Sequence, residues 1–305
     1  MEQQPSVEEL LANLLDIAAP LAPFDMPLLD AHGATLAKDI FAGERLVLRG
    51  GTRIRSTQIG LAASIGLDRL PTLPHPRVVV ISAGDDLVEP GQALEDSDDE
   101  FETNSWMLTS AVREAGANGF RVHTIPENHE QLREVIEDQL VRADLIVISG
   151  ERHDESFELI TAVLKELGEI TTVRPKMSES GLHNFGLIGP DKIPVITLPG
   201  DPVVAGIAVE IFVRPMIRKM AGAPNIFRNQ LKAKLKSSID VTPGESGYIR
   251  ALLTSENGVV AVPLDVQGDL VSLSDANAFI IVPEDSQSLK VGDVVDVMVL
   301  DRSSN

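Results

Sequence analysis

Three short loops hold the residues whose types and spacing could do chemistry, since each places a glycine next to a carboxylate. The loops read SAGDD at 82–86, SGERHDE at 149–155 and LPGDP at 198–202. Glycine lets a ligand approach the backbone closely, and a carboxylate can bind Mg²⁺ or a hydroxyl group. Glycine followed by aspartate is also an ordinary turn or cap sequence, so a purely structural role for each loop stays open.

Each loop follows an apolar run that predicts a strand, and helical patterns lie between the runs. Strands are predicted over 77–82, 120–125, 145–149 and 195–198, and helices near 103–115, 129–141 and 156–167. Such alternation is typical of a mostly parallel sheet covered by helices on both faces. Because ligands bind beyond the carboxyl ends of parallel strands, the three loops are predicted to meet in one site.

The start of the chain predicts an amphipathic helix. Ser6 and Glu9 stand at capping-box spacing, and an apolar stripe at helical intervals follows them. A second helix is predicted near 56–64. Because the first stripe has no obvious partner among the short elements that follow it, the sequence indicates a dimer.

The end of the chain predicts a small β domain. A helix is expected to start at Asp201 and to kink or end at Pro215, and alternation takes over after Gly222. Asn257-Gly258 between two alternating runs predicts a β-hairpin. The predicted domains are an N-terminal dimerisation segment (1–71), a central α/β domain (72–222) and a C-terminal β domain (223–305).

Composition excludes several classes of function. The 26 lysines and arginines stand against 46 aspartates and glutamates, so the net charge of −20 makes nucleic acid a poor partner. The absence of cysteine excludes disulfides and thiolate-bound metals. The acidic start and the lack of a long apolar run lead us to expect a cytoplasmic location.

Two features are predicted to be structural rather than functional. The acidic run EDSDDEFE at 95–102 is interpreted as a solvated loop and not as a cation site. Trp106, the single tryptophan, is interpreted as a core residue and not as a stacking platform.

Seven segments in this order resemble the molybdopterin molybdenumtransferase family, which includes bacterial MoeA and the E domain of gephyrin. Among them are RVVVISAGDDL, ADLIVISG and LPGDPVVAG in the middle of the chain and SLSDANAFIIVP near its end. The resemblance implies an elongated N-terminal segment, a three-layer αβα molybdopterin-binding-like domain and a C-terminal β-barrel. It also implies a homodimer in which Mg²⁺ and acidic residues help transfer molybdate onto adenylylated molybdopterin.

The resemblance assigns roles by motif position. Asp85 would be a catalytic carboxylate and the Mg²⁺ ligand, and Glu158 would be a second catalytic carboxylate. The residues that it places around the bound molybdopterin are Gly84, Asp86, Asn104, Ser149, Gly150, Lys176, Pro199, Gly200 and Asp201.

The chain also departs from the family pattern. The family inserts a further domain between its two N-terminal pieces, whereas Phe41-Ala42-Gly43-Glu44 joins them directly here. Glu151, His153 and Glu155 replace small residues of a glycine-rich loop, and the family's lysine-bearing "KPGKP" is unrecognisable at 174–181. We therefore expect a degenerate active site. The alternative is a non-catalytic, gephyrin-like dimeric scaffold that binds a protein or peptide in the groove between the αβα and barrel domains.

Overall fold

The computed structural model describes residues 4–123, 128–150, 154–255, 258–264, 270–286 and 288–300. The chain forms an N-terminal region, a central αβα domain and a closed β-barrel, as the sequence predicts. The N-terminal elements are α1 (Val7–Ile17), β1 (Phe24–Pro27), β2 (Thr35–Leu36), β3 (Ile40–Ala42), β4 (Arg45–Leu48), α2 (Ser56–Ser64) and β5 (Arg69–Leu73).

Helix α1 begins with the expected capping box. The Ser6 hydroxyl accepts a hydrogen bond from the Glu9 backbone at 3.1 Å, and the Glu9 carboxylate accepts one from the Ser6 backbone at 2.9 Å. Leu10 and Leu14 are fully buried in the core of the central domain, and Lys219 Nζ donates to the Leu15 carbonyl at 2.6 Å. The stripe is covered within its own chain by a helix about 200 residues away in sequence and not by the short elements that follow it, so its burial does not indicate a dimer.

The N-terminal region is otherwise built from short elements. Strands pair in the order β1-β5-β2, around a small core that includes Leu36, Ile54 and Leu70. Strands β3 and β4 form a separate hairpin in which Ala42 pairs with Arg45, and its turn holds Gly43 at a φ of 60°. This hairpin joins the two N-terminal pieces at the place where the resemblance implies an inserted domain.

The central domain is a six-stranded sheet between two layers of helices. Its first half contains β6 (Arg77–Ser82), β7 (Leu87–Val88), β8 (Glu100–Phe101), α3 (Asn104–Glu114), β9 (Asn118–Arg121), α4 (His129–Leu140) and β10 (Leu145–Ser149). Its second half contains α5 (Asp154–Leu167), β11 (Gly168–Val173), β12 (His183–Ile188), β13 (Ile193–Leu198), α6 (Pro202–Ala208) and α7 (Arg214–Met220).

The sheet order is β11-β12-β13-β10-β6-β9. The four strands from β13 to β9 are parallel, while β11 and β12 add antiparallel pairing at one edge. Buried valines and isoleucines alternate between the faces, so that α1, α3, α6 and α7 pack on one face and α4 and α5 on the other.

Pro215 does not end its helix. A π-helical turn, Val209–Val213, joins α6 to α7, and the Arg214 N–H donates to the Val209 carbonyl five residues earlier. The chain then stays helical through Pro215 to Met220. The wider turn lets the helix accommodate a residue that has no N–H to donate.

The C-terminal domain is a barrel with strand order β14-β16-β15-β17-β18. Its elements are β14 (Gln230–Leu235), β15 (Gly247–Ser255), β16 (Val259–Pro263), α8 (Leu270–Asp275), β17 (Ala278–Val282) and β18 (Val294–Val299). Strands β15 and β16 form the expected hairpin. Asn257 lies outside the described residues. None of the helices in the described ranges combines the length and the apolar composition that crossing a membrane requires.

Candidate functional site

The three glycine-bearing loops meet at one edge of the central sheet. Ser149 stands beside Ser82 in the register of β10 and β6, and beside Leu198 in the register of β10 and β13. A cleft of about 180 Å³ lies beyond these strand ends. We call it the acidic cleft. The predicted site residues that line it are Asp86, Asn104, Gly150 and Gly200.

Asn104 links two of these loops to the first turn of α3. Its Nδ2 donates to Ser149 Oγ at 2.8 Å and to the Gly200 carbonyl at 2.7 Å. Its Oδ1 is buried and has no hydrogen-bond partner among the described residues. A buried acceptor of this kind costs free energy unless a ligand or water satisfies it.

At Gly150 a larger side chain would crowd one wall of the cleft. A Cβ at this position would lie 2.6 Å from Ser156 Oγ and 3.0 Å from Ile160 Cδ1, inside the van der Waals limit. The start of α5 therefore packs directly against the end of β10. Gly84 and Ser149 are buried beside this contact.

Glu102 is the main site residue that sequence reasoning missed. It belongs to the run interpreted as a solvated loop, yet it is 1% exposed. Its carboxylate accepts hydrogen bonds from the Ser105 backbone at 2.8 Å and from Ser105 Oγ at 2.5 Å, and Arg121 Nη2 lies 3.3 Å away. A buried carboxylate thus caps the start of α3, while residues 95–98 of the same run are exposed as expected.

Trp106 was expected in the core, and that expectation is wrong. Its side chain is 50% exposed, and the Arg121 guanidinium stacks over its ring at 4.2 Å from the centroid. Arg121 also pairs with Glu89. The tryptophan covers the ion-paired arginine, which no helical periodicity could indicate.

Carboxylates dominate the charge of the cleft. Asp86, Asp98, Glu100 and Glu102 all line it, and Arg121 pairs with Glu102. An anionic group placed here would be repelled, whereas a neutral ring system with N–H donors would be attracted.

Several predicted site residues lie elsewhere. Asp85 and Glu158 are exposed and are not among the residues that line the cleft. Lys176 Nζ pairs with Glu284 of the barrel domain at 3.1 Å. Pro199 is not among the residues that line the cleft, and its ring packs closely against Gly181. Their assignment to binding or catalysis stays a prediction from the resemblance.

Asp201 has a structural role. Its Oδ1 accepts hydrogen bonds from the backbones of Val203 at 2.9 Å and Val204 at 3.1 Å, which caps α6 as the sequence predicts. Glu151 and His153 lie outside the described residues.

One or two carboxylates together with water and substrate phosphate are enough to bind Mg²⁺. No group of three aspartate, glutamate or histidine side chains within them is arranged to hold a metal ion. The assignment of Asp85 as a Mg²⁺ ligand stays a prediction, and no chemical step is derived from it.

Glu179 lies between the central domain and the barrel. Its carboxylate lies 3.6 Å from Arg250 Nη1 of β15. Burial raises the pKa of the Glu179 carboxyl, Arg250 lowers this pKa, and the charge of Asp201 raises it again. The net shift is upward, mainly because burial disfavours the charged carboxylate.

Comparison with family models divides the chain in the same way as the structure. Residues 79–219 match the model described as a probable molybdopterin binding domain, and residues 232–300 match the MoeA C-terminal region, domain IV.

The chain is also similar to two named relatives. Molybdopterin molybdenumtransferase 1 of Mycobacterium tuberculosis (strain ATCC 25618 / H37Rv) is 32% identical over 274 residues, which cover 86% of this chain and 63% of the relative. Molybdopterin molybdenumtransferase of Staphylococcus epidermidis (strain ATCC 12228) is 25% identical over 283 residues, which cover 88% of this chain and 64% of the relative. The chain thus spans less than two thirds of the length of these curated relatives.

Solved structures share the fold. The molybdopterin biosynthesis MoeA protein from Pyrococcus horikoshii superposes with a TM-score of 0.82 at 20% identity and covers 98% of this chain and 100% of its own. The molybdenum cofactor biosynthesis protein from Pyrococcus furiosus gives a TM-score of 0.73 at 22% identity, covering 97% of this chain and 100% of its own.

Proposed function

The chain belongs to the molybdopterin molybdenumtransferase family, and from this premise we propose that it binds molybdopterin in the acidic cleft and acts in molybdenum cofactor biosynthesis. The observation that carries the proposal is the position of the cleft. Except for Leu270, its lining residues all fall within the segment that matches the molybdopterin-binding model. A cytoplasmic location is part of the proposal.

The charge of the cleft supports one orientation of the ligand. A pterin ring is neutral and carries N–H donors, which suit the cleft carboxylates and the unsatisfied Asn104 Oδ1. The phosphate of molybdopterin would avoid these carboxylates and point away from Glu102 and Glu100. The pterin end is therefore proposed to enter the cleft first.

The same charge supports a degenerate active site. Molybdate is a dianion, and its transfer at this edge needs positive charge or backbone donors. Here the cleft is lined by carboxylates, and Lys176 is paired with Glu284. We propose that ligand binding is retained while transfer of molybdate is slow.

Calorimetry with purified molybdopterin tests binding. The wild-type chain should bind, and Asn104→Ala should weaken binding about tenfold, because the loops that Asn104 joins would separate. Asn225→Ala, an exposed asparagine outside the cleft, is the matched control. Equal affinity of all three proteins, or no binding by the wild type, would refute the proposal.

A transfer assay tests the degenerate site. The protein would be supplied with adenylylated molybdopterin, molybdate and Mg²⁺, and cofactor release would be followed by reconstitution of an apo molybdoenzyme. We expect a rate far below that of a full-length relative. A comparable rate that Asp85→Ala abolishes would establish a competent enzyme.

A dimer is part of the proposal, although α1 no longer supports it. The N-terminal region instead exposes four large apolar side chains: Phe24 at 50%, Leu29 at 82%, Phe41 at 56% and Leu61 at 41%. Light scattering should give about twice the chain mass of 32.8 kDa. Phe41→Glu should shift the protein toward the monomer, whereas Phe227→Glu, on the barrel side, should not.

One observation favours the scaffold alternative. A groove of about 820 Å³ runs between α3, α6 and the barrel, and its apolar wall includes Met107, Leu273 and Phe279. A peptide selected against the protein should lose affinity in Met107→Glu if this groove is used. Selected peptides that bind Met107→Glu as well as wild type would remove this alternative.

A further inference from the structure

A second cavity lies away from the acidic cleft, where the N-terminal region meets the C-terminal ends of α3 and α7. Its volume is about 30 Å³, whereas one buried water needs about 10–15 Å³ on the same measure. Six of its twelve lining residues are glycine or alanine, so few side chains fill it. The space therefore suits a small ion rather than an organic molecule.

Three side chains supply the chemistry of this cavity. They are Arg53 from the N-terminal region, His75 from the segment before β6 and Arg218 from α7, and we call the cavity the arginine pocket. No carboxylate is among its described lining residues, although the whole chain has 46 acidic residues against 26 basic ones. The charge of this pocket is thus opposite to that of the chain.

Two backbone carbonyls near the pocket already accept hydrogen bonds from its side chains. His75 Nδ1 lies 2.7 Å from the Gly116 carbonyl at the end of α3. Arg218 Nε and Nη2 each donate to the Asn225 carbonyl at 3.3 Å. Arg218 Nη1 points toward Gly116 instead, since it would lie 3.8 Å from a Cβ on that glycine.

The two arginines repel each other. Burial lowers the pKa of the Arg218 guanidinium, and the charges of Arg53 and Arg228 lower this pKa further. Neither Arg53 nor Arg218 forms an ion pair within the described part of the chain. A site that brings cationic side chains together without an acidic side chain to pair with them is suited to binding an anion from solution.

We propose that the arginine pocket binds a tetrahedral dianion of the sulfate, phosphate or molybdate type between Arg53 and Arg218. Guanidinium groups recognise such oxygens through paired N–H donors. The bound anion would tie the N-terminal region to α7 of the central domain. This inference does not depend on the proposed function, because the pocket shares no lining residue with the acidic cleft.

Calorimetry with sodium sulfate against sodium chloride at matched ionic strength tests the pocket. Sulfate should bind at one site, and Arg53→Gln should weaken its binding about tenfold, because one charge-assisted pair is lost. Arg45→Gln, an exposed arginine of the same region outside the pocket, should bind like wild type. No saturable binding, or binding that Arg53→Gln leaves unchanged, would overturn the proposal.

Thermal unfolding separates a ligand site from a structural one. Without sulfate, Arg53→Gln should melt at the wild-type temperature or above it, because a like-charge repulsion is removed. With sulfate, the wild type should gain stability that Arg53→Gln does not gain. If Arg53→Gln melts lower without sulfate and gains equally with it, the arginine is structural and the proposal fails.

Three parallel titrations identify the anion. Equal affinities for sulfate, phosphate and molybdate support a general oxyanion site. A tenfold higher affinity for one of them identifies that anion as the ligand of the pocket. Arg218→Lys, which keeps the charge but not the paired donors, should bind less tightly than wild type. Arg53 is exposed, so its variant keeps the test valid if Arg218→Lys folds poorly.

Discussion

The two ends of α3 face opposite charges. Its first residues line the acidic cleft, where the carboxylate of Glu102 accepts two hydrogen bonds from Ser105. Its last turn borders the arginine pocket, where Arg53 and Arg218 have no carboxylate among the described lining residues. One helix thus separates the strongest local concentrations of opposite charge around it.

The charge at each end of α3 has the sign that the helix dipole favours, yet only one end has room for the charge of a ligand. A helix start attracts anions and a helix end attracts cations. At the start of α3 the chain fills the anion position with its own Glu102, so an external anion finds it occupied. At the end His75 contacts the Gly116 carbonyl, and Arg53 and Arg218 border the same pocket without a carboxylate among its described lining residues. The general rule that anions bind at helix N-termini would place the anion site at the start of α3, whereas the proposed site lies at its end.

Of the substitutions that test this difference between the two ends, Glu102→Gln should change the free energy of unfolding most. Removing one charge of a buried ion pair costs about 3 kcal/mol in the free energy of unfolding, measured by urea denaturation. Glu95→Gln, an exposed carboxylate of the same acidic run, should change it by less than about 0.5 kcal/mol. A loss below about 1 kcal/mol for Glu102→Gln would mean that the helix start does not depend on its own anion.

Gly150→Ala should have the next largest effect on the free energy of unfolding, through contacts beside the acidic cleft only. The added methyl would collide with Ser156 Oγ and Ile160 Cδ1, and overpacking of this kind costs about 2 kcal/mol. Gly60→Ala in α2 is the control, since a Cβ there meets nothing within 4 Å and alanine favours helix. Urea denaturation should therefore show opposite signs for the two substitutions, and equal signs would show that α5 adjusts freely.

Glu179→Gln should have the smallest effect, visible as a change with pH. The folded state raises the pKa of Glu179 above the reference value of 4.5, so the folded chain keeps a proton that the unfolded chain has released. The contribution of Glu179 to the free energy of unfolding therefore falls as pH rises from about 4.5.

Glutamine removes this penalty and keeps the residue at its positive φ of 53°. We expect Glu179→Gln to be more stable than wild type by less than about 1 kcal/mol at pH 8 and equal to it at pH 4. Glu134→Gln, an exposed carboxylate on α4, should show no such difference between the two pH values. A Glu179→Gln variant that is less stable at pH 8 would show that the pair with Arg250 outweighs the cost of burial.

Local patterns predicted much of the fold. Helix α2 lies at 56–64 as predicted, and the apolar runs of β6 and β10 became the buried parallel strands that bring the loops together. These elements are fixed by periodicity and by caps that lie a few residues apart. The antiparallel strands β11 and β12 were missed, and in β12 the buried polar residues His183 and Asn184 interrupt the apolar pattern.

The site could be predicted only in part, because its contacts connect distant segments. The sequence named Asn104 and the glycine loops, but the hydrogen bond from Asn104 to Gly200 spans 96 residues. Burial of Glu102 depends on Arg121, and burial of α1 depends on α7. A charge run or an apolar stripe shows which environments a segment can occupy. Whether one of its carboxylates is solvated or buried depends on a partner that is distant in sequence.

The hairpin of β3 and β4 has a consequence for protein engineering. Ala42 and Arg45 are paired neighbours on an exposed turn, so the chain leaves and re-enters the fold at almost the same point. Any folded unit whose own termini are about 5 Å apart can be spliced in at Gly43-Glu44 without pulling the two strands apart. The turn is therefore a suitable insertion site for a reporter or sensor module. It is also a suitable place for the new chain termini of a circular permutant.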